Sequence, residues 1–384
     1  MERLGVEPVA YDAVVAGLGG MGSAALAHCA KRGARVLGVE QFGELHDCGS
    51  SSGKTRIIRK AYFEDAAYVP LLQRAYELWR ELERESATQL LALVGLLMAG
   101  TEQSEVVTGA LRAAQTHDLP VEELSAADMR KRYPPLRVDD AEVGIFEREA
   151  GALFPERAIR AHLDVARAHG AHTRFRTALR AWQSDADAVT VQLSSGDRVR
   201  TRALILTLGP WFTAAMAEAG VPMQVQRNVQ IWFEPQTAAY AADTFPAFLL
   251  DRGSLPAPLY GFPDFGEGVK AAFHGFGTIT AAEQLEREID AASDVQPVAA
   301  AMEAWMPGAA LRYRDGKACM YELTEDRHFV IDRHPRDRRV ILCGGFSGHG
   351  FKFASVVGEI AARLALDGGT PYDVRFLSLE RFAK

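Results

Sequence analysis

Residues 11–16 form a short apolar run that leads straight into Gly17, Gly19 and Gly22, and an alanine-rich stretch follows. No other feature limits the fold as tightly. The order reads as a buried strand, a turn that brings the backbone close to whatever sits above it, and a helix over 23–32 whose first N–H groups lack partners. Those N–H groups and the positive end of the helix dipole suit a pyrophosphate. A second strand over 35–39 ends at Glu40, where a carboxylate accepts hydrogen bonds from a ribose 2′-hydroxyl and disfavours a 2′-phosphate. The expectation is a Rossmann-like unit holding FAD or NAD rather than NADP.

The chain is long enough for more than that unit. Its 384 residues, 48% hydrophobic and 24% charged, can fill two packed domains. The 43 basic and 50 acidic residues give a net charge of −7 with no basic run, which argues against a nucleic-acid partner and for a small-molecule substrate. No apolar run approaches the ~18 residues a membrane helix needs, and no secretory signal pattern is seen, so a cytoplasmic protein without a membrane role is expected. Cys29, Cys48, Cys319 and Cys343 are scattered without a C-x-x-C pair. Neither a disulfide framework nor a bound metal is expected from them.

Periodicity organises the rest. Leu71, Leu72, Ala75, Tyr76, Leu78, Trp79 and Leu82 recur at helical spacing over 68–85. Further helices are expected over 104–117, 125–133 and 156–169, and a strand over 93–99. A small antiparallel meander over 177–202 leads to the apolar run 203–208, which returns to the buried parallel sheet. From 225 to 306 aromatic, proline and glycine residues dominate, which suits a second, mostly antiparallel sheet with helices. The chain is therefore read as an α/β (α+β) two-domain protein. A discontinuous dinucleotide domain takes 1–85, 149–224 and 319–384, and a substrate domain takes 86–148 and 225–318.

Near the C-terminus Cys319, Tyr321 and Lys352 stand beside the glycine-rich turns around Gly344, Gly345, Gly348 and Gly350. A thiol, a phenol and a lysine in that company mark a place where a cofactor is held and worked on. Together with the segments 49–62 and 260–270, these motifs resemble the monomeric sarcosine oxidase family, with its N-methyltryptophan oxidase and L-pipecolate oxidase relatives, in the glycine oxidase and D-amino-acid oxidase superfamily. The likeness spans nearly the whole chain. It implies a Rossmann-like FAD-binding domain and a catalytic domain built on the antiparallel sheet.

The resemblance also implies roles for single residues. Cys319 carries FAD covalently through an 8α thioether, as a thiolate adding to the activated 8-methyl position would allow. Gly17, Gly19, Gly22, Glu40, Ser50, Thr55, Arg56, Gly345, Gly348, Gly350 and Lys352 complete the cofactor site. Arg59 and Lys352 grip the substrate carboxylate, a guanidinium fork backed by a point charge. Tyr321 and His274 orient the amine, and Tyr260 forms an aromatic wall. Lys270 matches the family's oxygen-activating lysine, whose ammonium stabilises the superoxide anion of the first electron transfer. At Ser52 the chain departs from the family, which often has His there.

The expected activity is an FAD-dependent oxidation of a small secondary amino acid to an imine, with O2 reduced to H2O2 and no obligate protein partner. An L-pipecolate or L-proline type oxidase fits the same motifs, with pocket volume deciding between methyl and ring substrates. Readings of another kind are a dehydrogenase passing electrons to a carrier, a nicotinamide enzyme, or a flavin-bearing binding protein.

Overall fold

Strand Tyr11–Ala16 lies in parallel between Val36–Val39 and Arg198–Leu206. The sheet continues with His172–Arg174 beyond the first neighbour and Asp337–Gly344 beyond the second, all parallel, and Val330–His334 closes that edge antiparallel. Val14 and Val15 point to opposite faces and both are fully buried, as expected of a parallel strand covered on both sides. Val15, Leu26, Trp79, Ile205, Ile341 and Val357 belong to the core on one face. Val14, Leu37, Val191, Leu204, Phe212 and Leu342 belong to the core on the other. The computed structural model describes residues 10–383; the outermost parts of the expected 1–85 and 319–384 segments, residues 1–9 and 384, lie outside it.

Helix Gly20–Lys31 packs against Pro155–Ala168 and Ala354–Asp367. Helix Val69–Ser86 buries Trp79 completely and ties it to the C-terminal turn, since the indole N–H donates to Lys352 O at 2.9 Å. Loss of that side chain costs about 3–5 kcal/mol by the usual scale for buried tryptophan. The helix expected over 104–117 runs Glu105–His117, because Ser104 stands outside it as the cap and accepts from Val107 N–H.

The expected meander and apolar run are one structure. Arg198–Leu206 is a single strand whose start pairs with Val189–Leu193 and whose end pairs with Asp337–Gly344. A strand can change partners along its length, so a shift from alternating to continuous apolar residues did not mark a new element.

The second sheet has nine strands and is mostly antiparallel; the pairing of Leu96–Thr101 with Ala247–Asp251 is parallel. Its longest ladder joins Gln224–Glu234 to Arg312–Leu323, setting Cys319 opposite Asn228 and Tyr321 opposite Gln226. The domain break expected between 318 and 319 therefore falls inside a strand, and Cys319 and Tyr321 belong to the antiparallel sheet. A three-stranded sheet of Arg56–Ile58, Gly151–Leu153 and Leu91–Ala92 carries Arg56. Among the described residues no helix is long and apolar enough to cross a membrane, and no group of three His, Cys, Asp or Glu side chains could hold a metal ion.

Candidate active site

A cavity of about 280 Å³ is lined by the ends of the parallel strands on one side and by the antiparallel sheet on the other. Gly17, Gly19, Glu40, Ser50, Arg56, Arg59, Tyr260, His274, Cys319, Tyr321, Gly348, Gly350 and Lys352 stand on its wall. Gly22, Thr55, Lys270 and Gly345 do not.

At the parallel-sheet end, Gly17 has φ +89°, and a Cβ there would lie 2.3 Å from Thr207 O. Only glycine fits that turn, and it leaves Gly19 and Gly20 at the start of helix Gly20–Lys31, facing the cavity. Gly22 packs beneath Gly17. Glu40 accepts from Leu18 N–H at 2.8 Å through Oε2 and from Phe42 N–H at 3.0 Å through Oε1. His46 Nδ1 accepts from Cys48 N–H, so its Nε2 carries the hydrogen and faces Glu40 Oε1 at 3.4 Å. Burial pushes the Glu40 pKa up, but His46 and the two N–H groups outweigh it and the net shift is downward. Leu45, Ile159, Phe175 and Leu179 make this end of the wall apolar.

At the other end Arg56 holds the loop over 50–55 together. Its Nη2 donates to Ser50 O at 2.9 Å and Ser52 O at 2.6 Å, and its Nη1 to Thr55 O at 2.9 Å. The same Nη2 lies 3.7 Å from Cys319 Sγ. Ser50 Oγ is buried without a hydrogen-bond partner among the described residues, and so is Ser52 Oγ, which is not on the wall. A glycine cradle at a helix start, an ionised acid one strand away and a thiol at the far end of one cavity fit a flavin dinucleotide.

Arg59 and Lys352, far apart in sequence, share one tyrosine ring. The Arg59 guanidinium sits 4.5 Å and the Lys352 Nζ 5.1 Å from the Tyr62 centroid. Lys352 Nζ donates to His349 O at 2.7 Å. The His349 ring is fixed as well: Nε2 faces Arg327 O at 3.0 Å and so carries the hydrogen, leaving Nδ1 to accept from the Tyr62 hydroxyl. Burial, then the charge of Arg59, brings the Lys352 pKa down to about 7.

Arg59 is already paired. Its Nη2 donates to both oxygens of Glu64, at 2.7 and 2.5 Å. Burial raises the Glu64 pKa, but Arg59 and the neighbouring cationic groups overcome this and hold it at about 2. Sequence reasoning missed Glu64, although an acid five residues beyond Arg59 was a usable signal. It also missed Tyr62, His349 and Glu322. Burial pushes Glu322 up to about 8 against one N–H bond from Phe346, so this acid on the cavity wall is mostly neutral at pH 7.

Beside the clamp, Tyr321 and His274 face one another with 3.4 Å between the hydroxyl and Nδ1. Burial lowers His274 to about 4 and raises Tyr321 well above its ordinary value, so both are neutral near pH 7. Tyr260 meets the His274 ring edge-on at 6.3 Å. Gly348, at φ +82°, rests on Tyr321: a Cβ there would come within 2.2 Å of its ring.

Lys270 lies behind the wall. It is fully buried, and its Nζ donates to Gly53 O at 2.7 Å, Thr55 O at 2.8 Å and Thr55 Oγ1 at 3.2 Å. Burial, then Arg56, lowers its pKa well below the lysine range.

Known proteins share this arrangement of chain. Residues 12–364 match the model of the family described as FAD dependent oxidoreductase. The monomeric sarcosine oxidase of Streptomyces avermitilis is 40% identical over 97% of this chain and 98% of its own. The N-methyl-L-tryptophan oxidase of Yersinia pestis is 34% identical over 97% and 99%. Among solved structures, NikD, an unusual amino acid oxidase essential for nikkomycin biosynthesis, superposes with a TM-score of 0.83 at 22% identity, covering 97% of this chain and 98% of that one. The L-proline dehydrogenase of P. horikoshii gives 0.83 at 21%, covering 98% of both chains, and these two likenesses speak to the fold. Match, coverage and site together make this chain a member of the FAD dependent oxidoreductase family, on the branch that holds the monomeric sarcosine oxidases and N-methyl-L-tryptophan oxidases.

Proposed function

We propose that the protein is an FAD-dependent oxidase of small secondary amino acids of the sarcosine type, acting in the cytoplasm with O2 as electron acceptor. One observation carries this reading: two buried cations, Arg59 and Lys352, stand over the Tyr62 ring and line the cavity that also holds Cys319 and the glycine cradle. An amino acid is held there by its carboxylate, with Lys352 offering N–H groups and Arg59 sharing its guanidinium between Glu64 and the ligand. When bound, FAD accepts the hydride equivalent from the carbon beside the amine nitrogen and passes two electrons on to O2.

The chain's own groups do the rest. The two cations disfavour a third positive charge, so the bound amine loses its proton more readily and presents its lone pair. Neutral Tyr321 and His274 hydrogen-bond the amine without adding charge. Cys319, beside Arg56, is the residue proposed to tether FAD through an 8α thioether. Lys270 supplies positive charge from behind the loop over 53–55, which favours electron transfer that creates an anion.

For sarcosine the overall change is sarcosine + O2 + H2O → glycine + formaldehyde + H2O2. Aerobic incubation with sarcosine should release peroxide and formaldehyde in equal amounts. Flavin turnover without peroxide would overturn the oxidase assignment.

A further inference from the structure

Arg56 and Lys270 share a problem. Arg56 is a cation at a half-buried place and Lys270 a fully buried amine, yet among the described residues every hydrogen bond they make goes to a neutral oxygen or to Cys319 Sγ. Buried charge without an anion is costly. The anion that answers them touches neither. Glu156 Oε1 accepts from Gly53 N–H at 2.8 Å and from Lys54 N–H at 3.1 Å. The first of those N–H groups belongs to the peptide whose oxygen, Ser52 O, takes Arg56 Nη2 at 2.6 Å. The second belongs to the peptide whose oxygen, Gly53 O, takes Lys270 Nζ at 2.7 Å.

One carboxylate oxygen is thus linked to both cations through two consecutive peptide groups, each hydrogen-bonded at both ends. Bonds in such chains polarise one another, so the anion at one end strengthens the acceptor at the other. Glu156 lies in the first turn of helix Pro155–Ala168, where the helix dipole favours a carboxylate. Its bonds also hold an unusual backbone, since Lys54 has φ +67°, a left-handed conformation that a non-glycine residue adopts only under constraint. Against burial and Arg56, which depress the Lys270 pKa, Glu156 is the leading group that raises it.

We propose that Glu156 is the remote counter-ion of Arg56 and Lys270, coupled to both through the peptides of residues 52–54, and that its charge sets the reduction potential of a flavin bound in the adjoining cavity. This rests on the reading above that Arg56 belongs to the flavin site and that Lys270 favours the electron transfer. It adds a positioning residue outside the cavity wall.

Glu156→Gln separates charge from geometry, because the amide oxygen can still accept both N–H groups. With the anion gone, the uncompensated cations favour the reduced, anionic cofactor. A unit charge two peptide groups away, at an effective dielectric of about 20, is worth about tenfold in the reduction equilibrium. For a two-electron couple that is about 30 mV upward. The measurement is an anaerobic redox titration of the holoenzyme, with Lys270→Met measured for flavin reoxidation alongside.

A raised potential in Glu156→Gln upholds the proposal, because a merely structural residue would not move it. A potential equal to the parent's, with reoxidation slowed in Lys270→Met, overturns the proposal and leaves the lysine's role standing. Unchanged reoxidation in Lys270→Met overturns the lysine's role with O2, and the potential of Glu156→Gln still decides the counter-ion proposal. Should Glu156→Gln not accumulate as holoenzyme, Glu156→Ser serves, since it too removes the charge. A raised potential there again upholds the coupling, and an unchanged one overturns it.

Discussion

Lys352 gives carboxylate binding a pH dependence of fixed sign. Burial and Arg59 hold its pKa at about 7 in the free protein, and a bound carboxylate stabilises the ammonium and raises it. Affinity is then full below about 7, and above it falls by about 1.4 kcal/mol, roughly tenfold, per pH unit until the complexed pKa is reached. Two units above, the loss is about 2.7 kcal/mol, or roughly a hundredfold.

The other charges on that wall stay fixed over this range. Arg59 remains a cation, Glu64 is held at about 2, and His274 and His349 are pushed down to about 4 and about 3. Glu322, pushed up to about 8, is the exception, so the series is repeated in Glu322→Gln. The assay is titration of the holoenzyme with acetate or propionate, which carry no amine to oxidise, followed in the flavin's visible absorption. Lys352→Met should bind weakly at every pH and lose the slope. One cation at about 4 Å and an effective dielectric of about 20 contributes about 4 kcal/mol before desolvation, so a loss of one to three orders of magnitude is expected. A flat parent curve, or a slope that survives in Lys352→Met, refutes the reasoning.

Cys319→Ser should release all its flavin into the supernatant on denaturation, whereas the parent keeps it in the protein pellet; free flavin from the parent contradicts the tether. Lys270→Met should slow reoxidation of the reduced holoenzyme by roughly two or more orders of magnitude, in the range seen for lost electrostatic stabilisation, and change anaerobic reduction far less. Stopped-flow measurement of the two half-reactions decides it. Gly348→Ala forces a left-handed alanine against the Tyr321 ring. It should cost about 1–3 kcal/mol in denaturant unfolding and weaken amine binding; unchanged stability contradicts the close approach.

What the sequence revealed was mostly local. The strand, glycine turn, helix and Glu40 follow one another within thirty or so residues, and each is fixed by its own steric and dipolar needs. Cys319 and Tyr321 share a face because a strand alternates, but their sheet depends on pairing with Gln224–Glu234, which no motif announces. The 318/319 break was drawn from the chemistry of the residues, and pairing ran across it.

Arg59 and Lys352 were legible as cations suited to a carboxylate. That Tyr62 carries both, that His349 anchors the ring, and that Glu64 already occupies Arg59 are tertiary facts. Lys270 was legible as a lysine suited to oxygen chemistry; that its Nζ is taken up by Gly53 O and Thr55 O, off the cavity wall, is again a tertiary fact. Glu156 read only as the start of a helix. Its second role needs the folded loop above it.

The most direct test is anaerobic mixing of the holoenzyme with a panel of amines, watching the flavin's visible absorption. Sarcosine, or failing that another N-methyl or cyclic secondary amino acid, should bleach the flavin. The corresponding amine without a carboxylate should be far slower, and admitting O2 should restore the colour with one peroxide per flavin. A flavin that none of these amino acids reduces, or that the carboxylate-free amine reduces equally well, would contradict the account.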